Sequence, residues 1–128
     1  MPTKTAIRPA NAAPPIGPYS HAVRIGDLLF CAGQIPIDPV HPNGPIVGDI
    51  KAQAARALEN VKIILEEQKL SFANVVKTTI FLTNLDDFAG MNEVYAKYFT
   101  ADYPARSTIQ VEALPRGASI EIEVIAHY

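Results

Sequence analysis

The feature that most restricts the fold is a pair of alternating runs, Pro104 to Val111 and Ile120 to Ala126, separated by a turn built on Pro115-Arg116-Gly117. In the first run, a period of two places Ala105, Ser107, Ile109 and Val111 on one face and Arg106, Thr108, Gln110 and Glu112 on the other. In the second, Ile120, Ile122, Val124 and Ala126 share a face, and Glu121, Glu123, Ile125 and His127 share its opposite. Such alternation predicts two strands of a sheet with one face on a core. If residues 113–118 close a simple hairpin, Glu121 lies opposite about Gln110, roughly 13 Å along the strand from Arg106 at about 3.3 Å per residue. On periodicity alone, Arg106, Glu121 and Glu123 decorate the solvated side of that sheet. The alternative is chemical: an arginine fork grips a carboxylate, and a glutamate nearby moves a proton.

The remaining pattern places these strands in an α+β fold. Pro9, Pro14, Pro15, Gly17 and Pro18 predict a stiff, extended arm over residues 8–18 that ends at Tyr19. Val23 and Ile25, a Gly26-Asp27 turn and Leu28 to Ala32 read as a β-hairpin ending at Gly33-Gln34. Four prolines and Asn43-Gly44 make residues 36–45 a loop, with His41 exposed in it. Asp49 is placed to cap a helix whose apolar face carries Ile50, Ala54, Ala57, Leu58, Val61, Ile64 and Leu65, running to about Lys69. A β-branched strand over Val75 to Thr83 follows, and Asn84 opens a helix bearing Phe88, Met91, Tyr95, Tyr98 and Phe99, read as core. The order ββαβαββ predicts a mixed sheet with two helices on one face.

At 128 residues the chain is read as a single domain, 1–128, long enough to bury about two thirds of its unfolded surface. Its 48% apolar and 19% charged residues suit a compact protein, and so lean a charge suggests that a second subunit covers some apolar surface. A net charge of −2 with scattered Lys and Arg argues against nucleic acid as a partner. Cys31, the single cysteine, sits in an apolar run and reads as a buried hydrophobe. The polar start and the lack of a long apolar run predict a cytoplasmic protein with no membrane segment. His21, His41 and His127 have no metal-ligand spacing, and no phosphate loop, dinucleotide fingerprint or nucleophile elbow is present. The expectation is therefore no metal and no cofactor.

What is left is an arginine, two glutamates, a tyrosine after a stiff arm and Asn92 on a packed helix, a set suited to noncovalent chemistry on a small acid. Several words of the sequence go further: Ile16-Gly17-Pro18-Tyr19-Ser20, Ala32-Gly33-Gln34-Ile35-Pro36, Val76-Lys77-Thr78-Thr79, Asp87-Phe88, Asn92, Pro104-Ala105-Arg106-Ser107 and Ile120-Glu121-Ile122-Glu123. From about Ile16 to Ala126 the chain resembles the reactive intermediate deaminase family (Rid, or YjgF-type), in its 2-iminobutanoate/2-iminopropanoate deaminase branch. The resemblance implies a chorismate-mutase-like fold and a homotrimer with sites in the clefts between subunits. It also implies that Arg106 binds a substrate carboxylate, that Glu121 positions and deprotonates the hydrolytic water, and that Tyr19, Gly33 and Asn92 line the pocket. Thr108 would contact the same water through its backbone. Many relatives carry a hydroxyl residue where Ala32 stands, and some a cysteine in place of Thr108.

The activity so implied is hydrolysis of 2-imino acids or their enamines to 2-oxo acids and ammonia, protecting pyridoxal-phosphate enzymes from damage. Two other functions are weighed against it. One is a trimer that binds small carboxylates without turnover. The other is an endoribonuclease or translation inhibitor, as some relatives are described, for which the sequence offers neither a basic stripe nor paired histidines.

Overall fold

The computed structural model describes residues 3–128; Met1 and Pro2, at the polar start, lie outside the described residues. Strands β1 (Thr5–Ile7), β2 (Ala22–Ile25) and β3 (Leu28–Cys31) precede helix α1 (Ile50–Glu67). Strand β4 (Val75–Leu82), helix α2 (Phe88–Tyr98), β5 (Ala105–Gln110) and β6 (Ile120–His127) complete the order. The strands form one mixed sheet in the order β1-β2-β3-β6-β4-β5. Strand β1 is an addition to the expected elements: three residues are too few for alternation to register, and pairing with β2 makes it a strand.

Both helices pack on the same face of the sheet, as expected. Asp49 accepts a hydrogen bond from the Ala52 amide at 3.0 Å, which closes the first turn of α1. The α1 stripe of Ala54, Ala57, Leu58, Val61, Ile64 and Leu65 is completely buried against Ile80, Leu82, Ile120 and Ile122 of β4 and β6. Each large side chain so buried contributes about 1.5–3 kcal/mol. Asn84 caps a single 3-10 turn, Leu85–Asp87, and α2 itself begins at Phe88.

The hairpin expected between the last two strands does not form. Strand β4 lies between them, parallel to β5 and antiparallel to β6. A parallel pair needs a long crossover, and α2 supplies it between β4 and β5. The 113–118 segment turns without pairing β5 to β6. It holds a 3-10 turn, Pro115–Gly117, with Arg116 at φ 58°, whose guanidinium donates to the carbonyls of Pro42 (2.7 Å) and Gly44 in the proline-rich loop.

This topology decides where the charged side chains point. Directly paired residues share a face. Arg106 pairs with Thr78, which is buried under α2, so Arg106 lies on the helix side. Glu121 pairs with Phe81, three positions further along β4 and therefore on the open side. Two strand spacings across and three residues along put the two backbone positions about 14 Å apart. The expectation that Arg106 and Glu121 share a solvated face is corrected: the sheet separates them.

Candidate active site

Arg106 sits on β5, an edge strand, where its guanidinium can leave the sheet and meet α2. A helical spacing of four and then three residues sets Phe88, Asn92 and Tyr95 on the stripe of α2 that faces this edge. The guanidinium carbon lies 4.7 Å from the Tyr95 ring centre and 5.4 Å from that of Phe88. These aromatic faces hold the cation without neutralising it. Among the described residues no carboxylate lies within ion-pair distance of Arg106, the ion pair formed there being Lys51–Glu93 at 2.6 Å. The arginine opens into a groove of about 310 Å³ lined by Asn92, Tyr95, Ala96, Phe99, Tyr103 and Pro104. Tyr95 is itself fixed by a 2.8 Å hydrogen bond between its hydroxyl and that of Thr78, and burial raises its pKa, which keeps the phenol neutral. Thr108, two residues beyond Arg106 and on the same face, is half-buried.

A second cluster forms on the open face. The chain leaves β3 at Cys31 and rejoins the sheet where Gln34 exchanges backbone hydrogen bonds with Ile122, at 2.8 and 3.0 Å. That return brings Gly33 against Glu121. A Cβ at position 33 would lie 2.7 Å from the Glu121 carboxyl carbon and in hard contact with Oε2, so a glycine is what lets the glutamate lie there. Glu121 is half-buried, and its pKa is raised, first by that burial and then by the neighbouring Glu123 carboxylate. Tyr19 ends the proline arm beside Gly33, its hydroxyl accepting a 3.2 Å hydrogen bond from the Ile16 amide.

The residues expected at one site therefore fall into two half-sites. Arg106, Asn92 and Thr108 belong to the helix-side edge, and Tyr19, Gly33 and Glu121 to the open face. One half presents an unpaired cation beside an apolar wall, the other a half-buried carboxylate with a raised pKa. Within one chain they do not meet.

Residues 10–128 match the family described as Endoribonuclease L-PSP. A RutC family protein of Pyrococcus horikoshii is 52% identical over 125 residues, covering 97% of this chain and 98% of that protein. The chain belongs to the Rid family. A second relative within it, named 2-iminobutanoate/2-iminopropanoate deaminase, from Salmonella typhimurium, is 45% identical over 119 residues and covers 91% of each chain. The crystal structure of E. coli TdcF with bound serine superposes with a TM-score of 0.90 at 42% identity, covering 97% of this chain and 98% of that one. The fold of this Rid chain is thus that of solved family members, and among the described residues no helix is long and apolar enough to cross a membrane.

Three residues of the half-sites were given no site role from sequence: Phe88 and Tyr95, which seat Arg106, and Tyr103 at the groove mouth. Phe88 and Tyr95 read as packing, and Tyr103 was given no role. The signal that could have found the first two was Asn92, a polar residue in an apolar stripe with an aromatic residue one turn to either side. Tyr103 lies between elements, outside any periodicity.

Proposed function

We propose that this protein hydrolyses 2-imino acids and their enamine tautomers to 2-oxo acids and ammonia at sites shared between copies of the chain, three to a ring. The observation that carries the reading is the pairing of an uncompensated Arg106 in an open groove with an uncompensated, half-buried Glu121 on a different face. A neighbouring copy would supply the half that each chain lacks. Arg106 then takes the substrate carboxylate in bidentate fashion, and Asn92 and Tyr95 border it. Glu121, held against Gly33 and beside Tyr19, accepts a proton from water as the oxygen attacks C2 of the imine. The imine is attacked in its protonated form, so the adduct is a neutral carbinolamine. Its nitrogen takes up the proton from Glu121, the C–N bond breaks with its electron pair leaving on ammonia, and the hydroxyl proton returns to the Glu121 carboxylate and passes to the departing ammonia, leaving the 2-oxo acid and ammonium. No step requires a cofactor. Its raised pKa makes Glu121 a better base than a fully solvated glutamate. The relative named as a deaminase supports the same substrate class.

The test generates 2-iminopropanoate and 2-iminobutanoate in place with an amino acid oxidase and traps residual imine with semicarbazide. Wild type should suppress trapping, while Arg106→Ala and Glu121→Gln should not. If folded wild type leaves trapping unchanged, the reading is wrong, and binding of small carboxylates without turnover takes its place.

A further inference from the structure

The deaminase reading makes no use of His21, the one described residue with a buried, unpartnered polar side-chain atom. His21 is 6% exposed. Its Nε2 lies 2.7 Å from the carbonyl oxygen of Ala13, and since a carbonyl can only accept, Nε2 carries the proton and donates it. In that tautomer Nδ1 presents a lone pair, and no donor reaches it. The same histidine is pinned through its backbone, its carbonyl accepting from the Ala32 amide at 2.8 Å.

His21 borders a small cavity of about 30 Å³, with Ala13 and Tyr19 from the proline arm, Gly33 and Gln34 from the return to the sheet, and Asn60 from α1. A water molecule needs roughly 10–15 Å³ measured in this way and two to four polar partners. Asn60 is already satisfied. Its amide donates to the Ile35 and Ile37 carbonyls at 3.1 and 2.8 Å, and its oxygen accepts two bonds from Arg56. Tyr19 still has a hydroxyl proton to give after accepting from Ile16, and Nδ1 of His21 has a lone pair to fill.

We propose that this cavity holds an ordered water that donates to Nδ1 of His21, and that His21 and this water together fix the proline arm against the Gly33–Gln34 return and so position Tyr19. His21 acts through Tyr19 and does not touch substrate. Its two ring nitrogens have separate tasks: Nε2–H ties down the start of the arm at Ala13, and Nδ1 anchors the wedge of water under its end. The consequence for turnover rests on the deaminase reading; the consequence for the arm does not.

The test begins with the wild-type chain. Nitrogen-15 NMR of the imidazole should report the Nε2–H tautomer with Nδ1 shifted as a hydrogen-bond acceptor, and a high-resolution crystal structure should show density within 3.2 Å of Nδ1. A free lone-pair shift with no density overturns the proposal, without any variant having to fold. His21→Leu should then speed proteolytic cleavage within residues 9–18 about tenfold, as expected where an anchoring hydrogen bond is lost and cleavage follows the open population. His21→Gln, which keeps one donor and one acceptor, should restore protection. With imine substrate, His21→Leu should raise KM about tenfold with kcat within about twofold, and His21→Gln should reverse it. An arm equally protected in wild type and His21→Leu refutes the anchoring role. If wild type turns over no imine but the NMR, density and cleavage results hold, the deaminase reading falls and the role of His21 stands.

Discussion

The two faces of the sheet are built from the same strands and the same alternation, yet they end in different states. On the helix side, Ile80, Leu82, Ile120 and Ile122 are completely buried beneath α1 and α2. On the other side, Phe30 at 42%, Ile25 at 41% and Leu28 at 39% exposure lie in the open, on the face that also carries Glu121 and Glu123. A two-layer protein whose second face faced only water would carry polar residues there. An apolar open face of this kind suits contact with another copy, and Glu121 lies on that same face. Arg106, by contrast, belongs to the closed face and reaches out only because β5 is an edge.

The contrast is most strongly tested by separating the halves. Glu121→Gln should lower kcat/KM by about 10²–10⁴, the usual contribution of a positioned base, and Arg106→Ala by a comparable factor. When the two inactive variants are unfolded, mixed in equal amounts and refolded, sites drawing one half from each neighbour should recover about a quarter of wild-type activity. No recovery would place both halves within one chain and break the comparison. Next in size, Ile80→Ala should cost about 2–5 kcal/mol in denaturant unfolding, because it leaves a cavity in the closed face. Phe30→Ser on the open face should instead lower the mass seen by light scattering at a given concentration. Thr78→Val removes the hydroxyl that fixes Tyr95 and should cost about 1 kcal/mol of stability, with a weaker grip on carboxylate ligands read by calorimetry.

The smallest effect is electrostatic. Glu121 must be ionised to act as base, so activity should fall on acidification through its raised pKa, at a higher pH than an ordinary glutamate would give. Because Glu123 contributes to that rise, Glu123→Gln should move the acid limb to lower pH. Stability follows the opposite sign. The folded chain holds the Glu121 proton more tightly than the unfolded chain, so stability declines as pH rises from the usual glutamate value through the raised one. Glu121→Gln should remove that decline, measured as the pH dependence of Tm.

Much of this was legible in the sequence because it depends on local period. The α1 stripe, its Asp49 cap, the Gly26-Asp27 hairpin and the alternation of β6 all follow from neighbours within a few residues. Strand pairing does not. Nothing local to Ala105–Gln110 says that its partner is β4, some thirty positions earlier, and the short connection to β6 suggested the wrong neighbour. The site suffered in proportion. Arg106, Glu121, Tyr19, Gly33, Asn92 and Thr108 were named from motif, but their division between two faces turns on the one pairing that sequence misjudged. The Gly33–Glu121 contact was equally hidden, since it arises where the chain steps off β3 and returns at Gln34.

The position of β6 also bears on how the chain is made. Synthesis delivers it after every other strand, yet it belongs in the middle of the sheet, with β3 on one side and β4 on the other. Until it emerges, the nascent chain carries a β1–β3 meander and a β4–α2–β5 unit, each with a hydrogen-bonding edge that has no partner. Edges of that kind recruit the wrong strands, including those of other nascent chains. Two incomplete sheets must therefore be joined by the strand that comes last in the order, and until it pairs both inner edges stay open to mispairing.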